Sequence, residues 1–128
     1  NFAVALKNRG VLYFKKDNRV KAVSDFTKAI DLMPNDPLLY TYRGIMYRLE
    51  DQLQLAMDDF SKSIALSPTF ALAFKHRSEL YQKQKLYIRA LVDIKMAFAL
   101  SWDSSYDLTR YQIVVHLSGA ARAKNPLL

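Results

Sequence analysis

Arg9, Arg43 and Arg77 stand 34 residues apart, and Asp25, Asp59 and Asp93 keep the same spacing. Three guanidiniums and three carboxylates in one phase are suited to charge pairing, because a planar guanidinium fits a partly buried carboxylate better than an ammonium does. The spacing predicts a structural ladder of Arg–Asp pairs, within each unit or onto the next. The alternative is six independent solvated charges. Other chemistry is poorly provided for. His76 and His116 are the only histidines, and neither has a flanking acidic pair, whereas a metal site needs several converging ligands. There is no cysteine, which excludes disulfides and thiolate metal sites. Glu50-Asp51 and Asp58-Asp59 read as a turn and a solvated helix face. No glycine-rich phosphate loop and no supported Ser–His–Asp set is present, so the sequence calls for no catalytic residue, cofactor or metal.

The elements that would hold the Arg–Asp pairs follow the same period. Tyr13, Tyr47 and Tyr81 coincide, as do Ala22, Ala56 and Ala90. A fixed period of this size marks a stack of repeated units. Apolar residues recur at steps of three and four, a helical pattern. It predicts helices at about 3–16, 19–32, 37–49, 53–66, 71–83 and 87–100. Short polar turns at Lys16-Asp17-Asn18 and Glu50-Asp51-Gln52 make neighbours antiparallel. Asp36 is suited to cap a helix and Pro37 to begin one. Trp102 stands where Pro34 and Pro68 end the earlier units, with Asp103 or Ser104 as the next cap. Tyr106, Leu108, Tyr111, Val114, Val115 and Leu117 mark a seventh helix, a lid for the last apolar face. Residues 119–128 are expected to fray.

Gly10, Gly44 and Ser78 share one place in the period. A glycine inside a helix costs about 1 kcal/mol against alanine. Its recurrence predicts a close approach between paired helices, facing Ala22 and Ala56, and a larger residue at Gly44 should force them apart. Tyr13, Tyr47, Tyr81, Phe26 and Phe60 are expected to fill the core.

The unit resembles the tetratricopeptide repeat. The middle copy supplies its pattern as Tyr40, Gly44, Tyr47, Ala56, Phe60, Ser63 and Pro68. The first supplies Leu6, Gly10, Tyr13, Ala22, Phe26, Ala29 and Pro34. The third supplies Phe74, Ser78, Tyr81, Ala90, Ile94 and Ala97, and departs at Trp102. The resemblance implies an all-α fold, a right-handed superhelical solenoid of three antiparallel helix pairs plus a C-terminal capping helix. Its single domain would cover 3–118, with repeats 3–36, 37–70 and 71–104 and the cap at 105–118.

In that family the first helices of successive repeats line a partner-binding groove. Carried over by position, the groove would take Val4, Lys7, Asn8, Val11, Phe14 and Lys15 from the first repeat. The second would give Leu38, Thr41, Tyr42, Ile45, Arg48 and Leu49, and the third Leu72, Lys75, His76, Glu79, Gln82 and Lys83. Such a surface suits a protein segment with an apolar centre and acidic flanks, anchored on Tyr42 and Phe14. The family's two-carboxylate clamp for chaperone tails uses Lys, Asn, Asn, Lys and Arg. Here those places hold Lys7, Val11, Tyr42, Leu72 and His76, so one of five matches.

Charge leaves alternatives open. The chain carries a formal +7 over 128 residues, with +3 in the first repeat, −1 in the second, +3 in the third and +2 in residues 105–128. A basic surface favours acidic partners in general. A nucleic-acid binder stacking bases on groove aromatics is the second reading, weakened by the acidic middle repeat and by Val4, Leu38 and Leu72 where polar base-readers would stand. Self-association through the capping helix or an open end is the third. The leading expectation is a non-catalytic scaffold or adaptor in a reducing, intracellular and cytoplasmic setting. The start at Asn1, without Met or a secretory pattern, suggests part of a longer protein.

Overall fold

The computed structural model describes residues 1–101 and 105–124. It is all helical there: α1 Phe2–Lys15, α2 Arg19–Leu32, α3 Pro37–Leu49, α4 Leu53–Leu66, α5 Ala71–Lys83, α6 Tyr87–Ser101 and α7 Ser105–Lys124. Trp102, Asp103 and Ser104, read as the third stop and cap, lie outside the described residues.

The helix ends have local causes. The Asn1 side chain accepts from the Ala3 amide at 2.8 Å, and Asp36 accepts from Leu38 at 3.0 Å with Pro37 in the first turn. Both satisfy amides that a helix start leaves without partners. The turn inside each pair is one motif used three times. Asp17, Asp51 and Lys85 take positive φ of 55°, 61° and 60°, and the next amide reaches back to a tyrosine carbonyl in each: Asn18 to Tyr13, Gln52 to Tyr47 and Leu86 to Tyr81. α7 does not stop at Gly119. A glycine ends a helix by turning left-handed, and no described glycine has positive φ, so the helix runs on to Lys124. That replaces the frayed tail expected over 119–124; residues 125–128 lie outside the described set.

The chain divides into two compact units, residues 1–70 and 71–128. In the first, α1 packs on α2, α3 on α4, and α2 on α3. Phe26, Leu39, Met46 and Phe60 are fully buried there. Thr41 and Ser63 are buried too, and satisfied: the Ser63 hydroxyl donates to the Pro37 carbonyl at 2.9 Å and accepts from Thr41 at 2.8 Å. This matters because an unsatisfied buried hydroxyl costs about 1–3 kcal/mol. Arg19 links successive turns, bonding Asp17 at 2.8 Å and both the Leu49 carbonyl and Glu50 at 3.1 Å.

In the second unit α5 packs on α6 and α6 on α7. Leu80, Ile94, Ile113 and Tyr106 are buried. The face of α7 differs from the sequence reading: Tyr106 and Ile113, seven residues apart, point inward, while Tyr111, Val114 and Val115 are exposed. Tyr87 stacks on His116 with centroids 5.1 Å apart.

Candidate functional site

The Arg–Asp residues form three pairs of one geometry, each within its own repeat. Arg9 Nε and Nη2 donate to Asp25 at 2.7 and 2.9 Å. Arg43 does the same to Asp59 at 2.9 and 2.8 Å, and Arg77 to Asp93 at 2.7 and 2.9 Å. Parallel two-point pairing is the strong form of this interaction. All three carboxylates are buried, but the guanidiniums differ: the Arg9 side chain is 56% exposed, Arg43 17% and Arg77 20%. Ring contacts follow the same difference. Arg43 lies 5.9 Å from the Tyr40 ring and 5.7 Å from Tyr47; Arg77 lies 5.8 Å from both Phe74 and Tyr81. Arg9 has Tyr13 at 5.9 Å, and Leu6 stands where Tyr40 and Phe74 do. Arg43 also donates to Thr27 of the preceding repeat at 3.3 Å.

Environment sets the acidities. Hydrogen bonding from Arg9 holds the Asp25 carboxyl below its usual range. Burial pushes Asp59 up against the pull of Arg43, the case in which desolvation outweighs Coulombic gain. The carboxylates raise Arg9, Arg43 and Arg77 by accepting their hydrogen bonds.

Behind each pair the helices meet closely. A Cβ on Gly10 would sit 2.7 Å from the Phe26 ring, and one on Gly44 2.7 Å from the Phe60 ring. The approach is thus ring to backbone, and Phe26 and Phe60 fill it rather than Ala22 or Ala56. The third repeat has Ser78 and Ile94 at these places, and Ser78 Oγ donates to the Ala90 carbonyl at 2.8 Å.

The groove candidates of the first unit do not act alike. Tyr42 stacks on Phe26 at 5.5 Å and meets Phe14 at 5.3 Å with a tilted ring. Phe14, Tyr42, Val11, Leu38 and Arg48 are half-buried, so part of each side chain reaches the surface. Val4, Asn8, Lys15 and Leu49 are exposed. Ile45 and Thr41 are buried and belong to the core, Thr41 bonded to Ser63 of the paired helix; they are not available to a partner. Lys7 is held by Asp36 at 2.7 Å, joining α1 to the cap of α3. Its charge is already engaged, which weakens the one clamp position that matched.

In the second unit Lys75 and His76 are also engaged. Lys75 Nζ lies 5.4 Å from the Tyr106 ring of α7, and His76 Nδ1 is 3.4 Å from Glu79. Lys83 is exposed at the end of α5. Among the described residues no group of three His, Cys, Asp or Glu could hold a metal, and no helix is long and apolar enough to cross a membrane.

Residues 3–36 match the family model of the tetratricopeptide repeat, and the residues that carry its pattern recur in phase as far as Ala97. Residues 3–36 are a tetratricopeptide repeat by that match. No curated protein matches it by sequence. Solved structures agree on an all-α helical-repeat solenoid. The first repeat domain of Spaghetti (RPAP3), bound to the HSP90 peptide SRMEEVD, superposes with a TM-score of 0.88 at 24% identity, covering 91% of this chain and 96% of that one. The Sgt2 repeat domain from Aspergillus fumigatus gives 0.88 at 16% identity, over 94% and 82%. The TPR2B domain of yeast Sti1, in a pHsp70 complex, gives 0.81 at 24% identity, over 92% and 97%. At these identities the likeness is one of fold.

Proposed function

We propose that the chain is a non-catalytic protein-interaction module whose α1 and α3 face, in residues 1–70, takes a partner segment with an apolar centre and acidic flanks. The observation that carries this reading is the ring cluster of Phe14, Tyr42 and Phe26. Phe26 is fully buried and fixes Tyr42 from behind, while Phe14 and Tyr42 keep part of their surface open. Aromatic rings held rigid on helices make strong anchors, since little side-chain freedom is lost on binding. Leu38 and Val11 extend the apolar patch, and Lys15 and Arg48 add positive charge that steers an acidic segment. Similar structures hold chaperone peptides, but here the clamp places are Val11, Tyr42, Leu72 and His76, with Lys7 tied to Asp36. The proposed contact is therefore with apolar side chains of the partner rather than with a terminal carboxylate. A cytoplasmic adaptor role fits this chemistry.

The test is fluorescence anisotropy with a labelled peptide carrying central leucine and phenylalanine between glutamates. Phe14→Ala should weaken Kd by roughly tenfold, the loss typical of an anchor, with Lys15→Glu weakening it less. An unchanged Kd for Phe14→Ala in a folded variant would falsify the assignment. Random-sequence RNA serves as the competing probe. Tight binding of that RNA with a steep salt dependence, and none of the peptide, would replace the proposal with the nucleic-acid reading.

A further inference from the structure

The outer face of α6 is unlike the same face of α2 and α4. Three positions at four-residue spacing, one stripe of a helix, read Val20, Ser24 and Lys28 in the first repeat and Gln54, Asp58 and Lys62 in the second. Gln54 and Asp58 there hydrogen-bond to each other at 2.9 Å. In the third repeat the same stripe is Ile88, Val92 and Met96, and their exposures are 65%, 62% and 45%. The fold accepts polar residues at this register, so packing does not explain the apolar ones. The stripe spans about 12 Å of helix.

Two clefts flank Ile88. One, of about 350 Å³, runs between residues 85–89, where α6 begins, and Leu117 of α7. The other, of about 210 Å³, is walled by Tyr81, Ile88 and Val92 beside the Arg77–Asp93 pair. Its counterpart in the first repeat, beside Arg9–Asp25, keeps a tyrosine and a basic residue, Tyr13 and Lys21 for Tyr81 and Arg89, but has Ser24 and Lys28 in place of the apolar Ile88 and Val92. Charge on the face has one sign. Lys85, Arg89 and Lys95 are exposed, and the sole carboxylate of α6, Asp93, is buried under Arg77.

We infer that the outer face of α6 is a second docking surface, for an acidic amphipathic helix of another protein. The helix would lay leucine-like side chains over Ile88, Val92 and Met96, put one into a cleft beside Ile88, and meet Arg89 and Lys95 with carboxylates. A second copy of this chain would bring like charges together across the stripe. A lipid surface has no use for clefts of side-chain size. This surface is separate from the Phe14–Tyr42 face and does not depend on it.

The probe is a labelled helical peptide with leucine at every fourth position along one face and glutamate on its flanks. It should bind the full chain, with affinity falling as salt rises. Grafting the second repeat's stripe (Ile88→Gln with Val92→Asp and Met96→Lys) should weaken Kd by roughly tenfold or more, and Arg89→Glu should also weaken it, while Phe14→Ala leaves it unchanged. Should the graft lower the melting temperature, Val92→Ser with Met96→Lys, taken from the first repeat, is read in its place. The proposal is overturned if the graft binds the peptide as well as the parent does. It is equally overturned if the parent ignores the peptide but co-sediments with phosphatidylcholine–phosphatidylserine vesicles, or if the parent is a dimer that the graft makes monomeric.

Discussion

The first two repeats and the third solve one packing problem in two ways. Repeats one and two set a glycine, Gly10 or Gly44, against a phenylalanine ring at the distance where no Cβ fits. Repeat three sets Ser78 against Ile94 and uses the hydroxyl to reach the Ala90 carbonyl. Beside both solutions lies the same two-point Arg–Asp pair. The pair is therefore the constant frame, and the residues next to it change as compensating couples. The turn shows the same division: aspartate takes the left-handed position in the first two repeats and lysine in the third.

If the pair is a frame, it should count alike on both sides of the comparison wherever it is equally enclosed. Arg43→Ala leaves the buried Asp59 carboxylate without its two donors, and removing one partner of a buried pair costs about 3–5 kcal/mol. Arg77→Ala should cost nearly the same, since its side chain is 20% exposed against 17% for Arg43. Arg9→Ala should cost less than either, because Arg9 stands half in water. Urea unfolding of the three variants checks this ranking. Equal losses at all three sites would show that burial does not set the strength of the pair.

The compensating couples can be exchanged. Gly44→Ser drives a Cβ into the Phe60 ring, and such overpacking costs roughly 1–3 kcal/mol. Phe60→Ile alone leaves a void and costs on a similar scale. Together they rebuild the Ser78–Ile94 arrangement, so the double variant should be more stable than the sum of the two losses allows, with a coupling of at least about 1 kcal/mol. Additive losses in the cycle would mean that the two solutions depend on more than these two residues.

Much of this architecture is legible in the sequence, for reasons visible at particular residues. Asp36-Pro37 and the polar turns locate helix ends because capping and φ restriction act within a few residues. Periodicity also gives the inward face. It does not give the partner on that face, and so Gly44 alone cannot announce Phe60, sixteen residues away. The groove was harder still. Ile45 and Thr41 sit at positions assigned to a surface by analogy, yet a helix packed on two sides buries a wide arc, and both fall inside it. Lys7 illustrates a further limit, since its engagement by Asp36 depends on how α1 meets α3. α7 runs past the end that Gly119 suggests, because that glycine, with open space around it, is helical.

The turn offers a smaller contrast. A left-handed backbone costs an ordinary L-residue about 1–2 kcal/mol, less for aspartate or asparagine. Lys85 bears that cost, while Asp17 and Asp51 reduce it. Lys85→Gly should raise stability by up to about 1 kcal/mol, seen as a higher urea midpoint. Asp51→Gly should gain clearly less. A loss at Lys85→Gly would mean that the lysine side chain contributes to the turn more than its backbone costs.

The finest contrast lies in pH, between the outermost pair and the enclosed one. Asp25 titrates below its usual value in the folded chain because Arg9 donates to it. A depressed carboxyl contributes stability that is complete above its unfolded pKa of about 3.9 and is lost as pH falls through the lower, folded value. Asp59 is raised by burial, so its sign is reversed: its proton-linked contribution is greatest below the unfolded pKa and diminishes as pH rises through the folded one. Asp25→Asn should therefore narrow its deficit relative to the parent as pH drops below about 4. Asp59→Asn should narrow its deficit as pH climbs above that range. Urea midpoints for both variants across the acid range supply the two slopes. Slopes of the same sign would place both carboxylates in one electrostatic environment, and would remove the distinction between a pair half in water and a pair enclosed by rings.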